Sequence, residues 1–170
     1  MNQIFKHSKN LYTDTAFYYI TIGGSGKRIP LQSATAPATV LVNSFNERYF
    51  YENDLVNFLN SGKEWYGEEF NNNPGGNATR SFTIDWPGLI FSQPIALVSD
   101  LASRSVGVTG SFSVKVNGQP VQTVNLPGVT GNFLDAFGTG LSQRNTFNAT
   151  QTSLTVSYIF NPATNGAQGW

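Results

Sequence analysis

The second half of the chain is a series of short runs in which apolar and polar residues alternate. Alternation with a period of two is typical of strands that are buried on one face. Near the middle of the chain, for example, Phe112, Val114 and Val116 share one face of a run. This alternation, or a short apolar run, predicts strands at 17–22, 39–42, 45–52, 79–84, 94–102, 106–116, 119–126, 146–149 and 153–160, with 64–70 extended.

One hairpin is predicted in detail. Asn117-Gly118 separates two alternating runs, and this dipeptide favours a type I′ turn because both of its residues accept a positive φ. The return strand is then 119–126, and Lys115 faces Pro120 in a pair without ladder hydrogen bonds. Proline is tolerated at such a position near an edge.

No stretch carries a long helical pattern, whereas turn residues recur at intervals of about eight to twelve residues. The chain is therefore predicted to be all-β, as an antiparallel β-sandwich with jelly-roll-like connections. A length of 170 residues favours a single domain over 1–170, with 1–16 as an irregular lead-in. Residues 129–144 are predicted to be loop.

Aromatic side chains are densest between residues 45 and 70, where eight of them lie among six carboxylates. Phenylalanine, tyrosine and tryptophan make up large β cores, but they also form contacts with other domains and flat platforms for sugar rings. Eight aromatic residues exceed what one strand face can bury, so part of this stretch is expected at an interface. Core, domain contact and ligand platform all remain open at this point.

Composition narrows the function classes. The chain has no cysteine, so disulfides, thiolate metal sites and cysteine nucleophiles are excluded within it. Ten basic and ten acidic side chains give a formal net charge of zero, which argues against nucleic acid as a partner. Charged residues are only 12% of the chain, and a surface of amides and hydroxyls is typical of exported β-proteins. No apolar run reaches 18 residues, so no membrane insertion is expected.

The sequence contains few candidate residues for catalysis or metal binding. His7 is the only histidine and lies in the irregular lead-in, which leaves a serine hydrolase without a placed base. Glu68 and Glu69 are adjacent, and in a strand they point to opposite faces, so they cannot flank one glycosidic bond together. No cofactor is predicted. A structural calcium ion bound through carboxylate and carbonyl oxygens remains an alternative, although the sequence contains no EF-hand spacing.

The residues selected as a candidate contact surface are Trp65, Tyr66, Glu68, Glu69 and Trp86. On the first hypothesis they contact another protein domain. On the alternative hypothesis the chain is a carbohydrate-binding module, in which two of Trp65, Tyr66 and Trp86 would form an exposed coplanar pair. A purely structural spacer is the third hypothesis.

Several segments, taken together and in order, resemble the β-rich region before the peptidase domain in PorU-type sortases of the type IX secretion system. They are LYTDTAFYYITIGGSGKRI (11–29), SGKEWYGEEF (61–70), Ala102–Arg104 leading into SFSVKVNG (111–118), and TVSYIFNPATNGAQGW (155–170). Those sortases are gingipain-like cysteine peptidases of Bacteroidota. The combination of the GKRI turn, the Lys-Glu-Trp-Tyr-Gly-Glu run and the terminal Asn-Gly-Ala-Gln-Gly-Trp carries the resemblance.

The resemblance implies that the chain is an excised fragment of a larger cell-surface protein, which fits a polar Met1–Asn10 without a signal peptide. The family's catalytic cysteine and histidine would lie in a following peptidase domain, so no catalytic residue is carried over to this chain. The implied role is non-catalytic docking. The expected partners are that peptidase domain, secreted cargo whose C-terminal signal the parent removes, or other secretion-system proteins.

Overall fold

A computed structural model describes residues 22–24, 30, 40, 42–164 and 166–170. The chain divides into two compact units, Met1–Arg48 and Tyr49–Trp170. The predictions for 1–21, including most of the 17–22 strand, for the GKRI turn at 26–29, and for positions 39 and 41 of the 39–42 strand lie outside the described residues. The fold set out below is that of the second unit.

The second unit is built from short antiparallel strands, as the alternating pattern predicts. The strands are β1 (Val56–Asn57), β2 (Trp65–Tyr66), β3 (Thr79–Asp85), β4 (Ile95–Arg104), β5 (Gly110–Val116), β6 (Gln119–Leu126), β7 (Thr139–Phe147), β8 (Ser153–Asn161) and β9 (Gln168–Gly169). A 3₁₀ turn at Phe58–Asn60 is the one helical element among the described residues.

The strands form three antiparallel sheets. A four-stranded sheet has the order β3-β8-β5-β6, a three-stranded sheet has the order β7-β4-β9, and β1 pairs with β2. Phe112, Val114 and Val116 are buried on one face of β5, as their spacing predicts. The all-β antiparallel class is thus confirmed, with two larger sheets that share a core. The jelly-roll connectivity stays a prediction.

The β5–β6 hairpin matches its prediction closely. Asn117 has φ of 50° and Gly118 has φ of 81°, the positive values that a type I′ turn requires. Lys115 pairs with Pro120 as expected, although the register shifts between Val114 and Lys115. Asn117 also secures the turn from the side, because its Oδ1 accepts a hydrogen bond from the amide of Thr155 at 2.8 Å.

Side-chain amides join the two larger sheets where β6 runs beside β7. Gln143 Nε2 donates to the carbonyl of Thr123 at 3.3 Å, and Gln122 Nε2 donates to the carbonyl of Gln143 at 2.9 Å. Asn145 Nδ2 donates in the same way to the carbonyl of Val121. Carboxamides therefore satisfy carbonyls at two strand edges that do not share a backbone ladder.

The opposite side is joined by the chain around Phe70. The amide of Phe70 donates to the carbonyl of Gly169 at 2.7 Å, and the Gly169 amide returns a bond of 2.8 Å. Arg80 in β3 donates two hydrogen bonds, of 3.1 and 2.9 Å, to the carbonyl of Glu69. The segment before Phe70 is thus fixed to β9 of one sheet and to β3 of the other.

Two predictions about regular structure were wrong. Residues 45–52 form no strand, and they lie outside every sheet of the described chain. High β propensity reflects the fit of a side chain to a pleated, half-buried surface, and Phe45 and Phe50 are 82% and 72% exposed. Conversely, β7 occupies Thr139–Phe147, most of which was predicted to be loop. Its polar sequence belongs to a strand at a sheet edge, with most side chains exposed.

Candidate functional site

The candidate site is a hairpin at residues 51–68, here called the aromatic hairpin. Val56 pairs with Tyr66 and Asn57 pairs with Trp65, while the amide of Leu55 donates to the carbonyl of Tyr66 at 2.9 Å. Opposite residues in an antiparallel pair project to the same face, and successive residues alternate. Val56 and Tyr66 therefore share one face, and Asn57 and Trp65 share the other.

Asn57 builds the turn that closes the hairpin. Its Oδ1 accepts a hydrogen bond from the amide of Gly62 at 2.8 Å, and its Nδ2 donates to the carbonyl of Glu64 at 2.6 Å. Both ends of one carboxamide are therefore satisfied inside the turn. Within it, Leu59 has φ of 57° and ψ of 20°, a left-handed conformation that is rare for a residue with a bulky side chain. The turn thus holds an apolar side chain at a strained position.

The inner face of the aromatic hairpin packs into a group of rings around Phe58. The ring of Phe58 stacks on Tyr66 at 4.5 Å, meets Trp170 edge-on at 4.6 Å and lies 5.2 Å from Phe137. Arg104 secures Phe137, with its guanidinium carbon 4.1 Å from the ring centre and a 2.7 Å hydrogen bond to the carbonyl. These contacts hold the inner face of the hairpin.

Tyr66 keeps its proton through the ordinary pH range. Burial, together with the neighbouring charge of Glu64, raises the pKa of Tyr66 to about 12. Its hydroxyl donates to Glu64 Oε2 at 3.2 Å. The phenol is thus a fixed neutral donor rather than a titrating group, which suits a structural position on the inner face.

The outer face of the aromatic hairpin is apolar and open to solvent. Leu55 is 60% exposed, Leu59 is 73% exposed and Trp65 is 42% exposed. Single exposed apolar side chains are normal on protein surfaces, but three on one small rigid element form the kind of patch that marks an interaction site. Trp65 belongs to the contact surface predicted from the sequence, whereas neither leucine was predicted to belong to it. The signal that could have found them was apolar residues close to the Asn-Ser-Gly turn signal.

Glu68 lies at the base of the hairpin in a polar cluster. The phenol of Tyr51 donates to Glu68 Oε1, as does Asn53 Nδ2 at 3.0 Å. Burial alone would raise the pKa of Glu68, but the hydrogen bonds from Tyr51, from its own backbone and from Asn53 outweigh it and hold the pKa below the usual carboxyl value. The same bond to Glu68, followed by burial, raises the pKa of Tyr51.

Glu69 has a separate set of partners. Its Oε1 accepts hydrogen bonds from Asn71 Nδ2 and Gln168 Nε2, both at 2.8 Å. Gln168 belongs to β9, so this carboxylate ties the end of the hairpin to the three-stranded sheet. Adjacent in sequence, Glu68 and Glu69 thus accept hydrogen bonds from different groups, in keeping with side chains that do not act as a pair.

Trp86 lies apart from the aromatic hairpin. It packs, half-buried, against the cluster of Val114, Val116, Leu154 and their neighbours. Tyr66 stacks on Phe58 instead, so Tyr66 and Trp86 do not form the exposed coplanar pair that a sugar platform requires. The structure therefore brings together Trp65, Tyr66, Glu68 and Glu69 of the predicted surface and leaves out Trp86.

Within the described residues, no group of three or more histidine, aspartate and glutamate side chains could hold a metal ion. In that same part of the chain, no helix is long and apolar enough to span a membrane. His7 lies outside the described residues. Comparisons with protein families, with curated proteins and with solved structures found no match.

Removing the Tyr51 hydroxyl tests the cluster around Glu68. In Tyr51→Phe the pKa of Glu68 should rise toward the ordinary carboxyl value of about 4.3, because a donor to the charged form is lost. The contribution of Glu68 to folding is present above that ordinary value and is lost as pH falls through the lowered pKa, so the variant should lose less stability in acid. An NMR titration of the Glu68 carboxyl carbon measures the shift. Tyr49→Phe is the control, and an equal shift there would contradict the assignment.

Proposed function

We propose that this chain is a non-catalytic β-domain that docks onto another protein domain through the outer face of the aromatic hairpin. The observation that carries the proposal is the solvent exposure of Leu55, Leu59 and Trp65 on an element whose other face is fixed by ring contacts. A preorganised apolar surface binds without a large ordering cost. Tryptophan is also among the side chains that most often dominate binding energy at interfaces.

The partner we propose is the peptidase domain of a cell-surface, gingipain-like cysteine peptidase of the sortase type. This part of the proposal rests on the resemblance of residues 11–29, 61–70, 111–118 and 155–170 to the region that precedes such a domain. Within it, the chain positions the peptidase or its secreted cargo, and chemistry belongs to the partner. The exposed apolar side chains suit a domain contact, because fixed contacts between domains bury apolar side chains at their centre.

The binding test uses a triple variant of the outer face, Leu55→Ser, Leu59→Ser and Trp65→Ser. Affinity for the peptidase domain encoded with this chain, supplied as a separate protein, should fall at least about 30-fold, since loss of anchor residues typically costs 2 kcal/mol or more. Calorimetry or interferometry measures it. Val98→Ser is the matched control, because Val98 is 52% exposed on β4, away from the hairpin.

Two results would contradict the proposal. One is equal binding by the triple variant and by the wild-type chain. The other is cleavage of a peptide by the isolated chain that is lost when residues of the chain itself are changed. The sequence encoded beyond Trp170 gives an independent check on the parent, since a domain with a catalytic cysteine and histidine is expected there.

A further inference from the structure

A second apolar feature is the loop at 130–135. Thr130 Oγ1 donates to Asp135 Oδ2 at 2.6 Å and accepts from the amide of Asn132 at 3.1 Å. Asn132 Oδ1 accepts from the amide of Leu134 at 3.1 Å. The polar side chains of the loop thus bond to one another and to its backbone, which gives the tip a defined shape.

The tip of this loop presents two large apolar side chains to water. Phe133 is 96% exposed and Leu134 is 85% exposed, the highest values for an adjacent pair of large apolar residues in the described part of the chain. Asp135 is the only charged residue between 127 and 138. An ordered loop that displays a phenyl ring in this way has the form of an anchor for an apolar cleft.

The described residues contain such a cleft, between the β5–β6 turn and the segment after β7. Its volume is about 140 Å³, and none of its lining residues is charged. Its apolar walls come from Val116, Pro120, Val121, Phe147, Ala149 and Leu154, and the other four lining residues, Asn117, Gln119, Asn148 and Thr150, are polar. Pockets for drug-sized ligands are larger, about 300–1,000 Å³. A cavity of about 150 Å³ accepts one benzene molecule, so this cleft matches a single phenyl ring.

The loop and the cleft lie at opposite ends of β5. The loop follows Leu126, which pairs with Gly110 at the start of β5, whereas the cleft is lined by Val116 at its end. Six steps of about 3.3–3.4 Å separate those two positions by about 20 Å. Phe133 is 96% exposed in this arrangement and does not fill the cleft of its own molecule.

We propose that Phe133 of one copy of this chain occupies the cleft of a second copy. Because the two surfaces differ and lie at opposite ends, the contact is heterologous and joins copies head to tail. One ring and its surroundings bury less than the roughly 1,200 Å² of a stable interface, so the association is weak and is strengthened where copies are concentrated on a surface.

The absence of native cysteine makes a disulfide test clean. Two tagged full-length variants are mixed, Leu134→Cys beside the anchor and Asn148→Cys at the cleft, with dissolved oxygen as the oxidant. The mixed disulfide should form about tenfold faster than it does between Leu134→Cys and Ser142→Cys, whose cysteine is exposed in the middle of β7. Adding Phe133→Ser to the first variant should remove this advantage.

Three outcomes would overturn the proposal. The rates for the cleft and for Ser142→Cys could be equal, or Phe133→Ser could leave the rate unchanged. A dominant Leu134→Cys homodimer would mean that two loops meet each other. Phosphatidylcholine vesicles are tested in parallel, and Phe133-dependent pelleting without the mixed disulfide would assign the loop to a lipid surface instead. None of these outcomes depends on whether the aromatic hairpin binds a peptidase domain.

Discussion

Phe112→Ala is expected to lower the free energy of unfolding by about 3–5 kcal/mol, the usual cost of deleting a buried phenyl ring. Phe112 is fully buried in β5 and lies between two other rings. Its centre is 5.2 Å from that of Phe70, edge-on, and 5.0 Å from that of Phe160. Both neighbours are themselves fixed in the core, so the cavity left behind can collapse only in part.

Urea denaturation followed by circular dichroism measures this loss. Phe133→Ala is the matched control, because the same ring is removed where it is 96% exposed, and its effect should stay within about 0.5 kcal/mol. A loss below about 1 kcal/mol in Phe112→Ala would mean that the rings around it repack freely. The pair also shows whether Phe133 is dispensable for folding, as an anchor for a second molecule must be.

The core of the larger sheets could be predicted from the sequence because burial and alternation coincide there. A period of two was enough to predict the burial of Phe112, Val114 and Val116. The Asn117-Gly118 turn was enough to predict the register of the hairpin, including the Lys115–Pro120 pair. Both signals are local. The burial of a side chain on one face of a strand can be predicted from the residues next to it in the sequence.

Strand β7 could not be predicted because its environment is not local. Gln143 lies in the 129–144 stretch predicted to be loop, yet it and Asn145 donate their side-chain amides to carbonyls of β6, 20 and 24 positions earlier. The prediction for 45–52 was wrong in the opposite way, because a strand was predicted where the structure has none. Its aromatic residues have high strand propensity, but propensity measures the fit of a side chain to a pleated surface. No residue of 45–52 pairs into a sheet of the described chain, although the ring of Tyr51 packs 4.5 Å from that of Phe82 in β3.

The location of the candidate site could be predicted from the sequence, but the faces to which its side chains point could not. Trp65-Tyr66 stands out by composition, but the face to which each ring points depends on the turn at Asn57 and on Trp170, which packs on Phe58 from the other end of the chain. Trp86 was assigned to the same surface on its type alone. Its contacts with the core around Leu154 belong to a different part of the sandwich.

Gly169→Ala is expected to cost about 3 kcal/mol or more, although no alternation or turn signal in the sequence predicts that this glycine is packed in the core. A Cβ at this position would lie 2.5 Å from Cζ of Phe112 and 2.9 Å from Cδ2 of Phe160. Both rings are buried and have no space to retreat, and overpacking of a close-packed core typically costs 1–3 kcal/mol, occasionally more. The backbone of Gly169 must shift instead.

That shift would reach the aromatic hairpin. Gly169 exchanges two hydrogen bonds with Phe70, and the next residue, Trp170, packs on Phe58. Gly169→Ala should therefore weaken docking as well as folding, which urea denaturation and partner binding can measure on the same variant. Gly88→Ala is the control, because no atom lies within 4 Å of its added Cβ. Unchanged docking in a destabilised Gly169→Ala chain would show that the hairpin holds its geometry without β9.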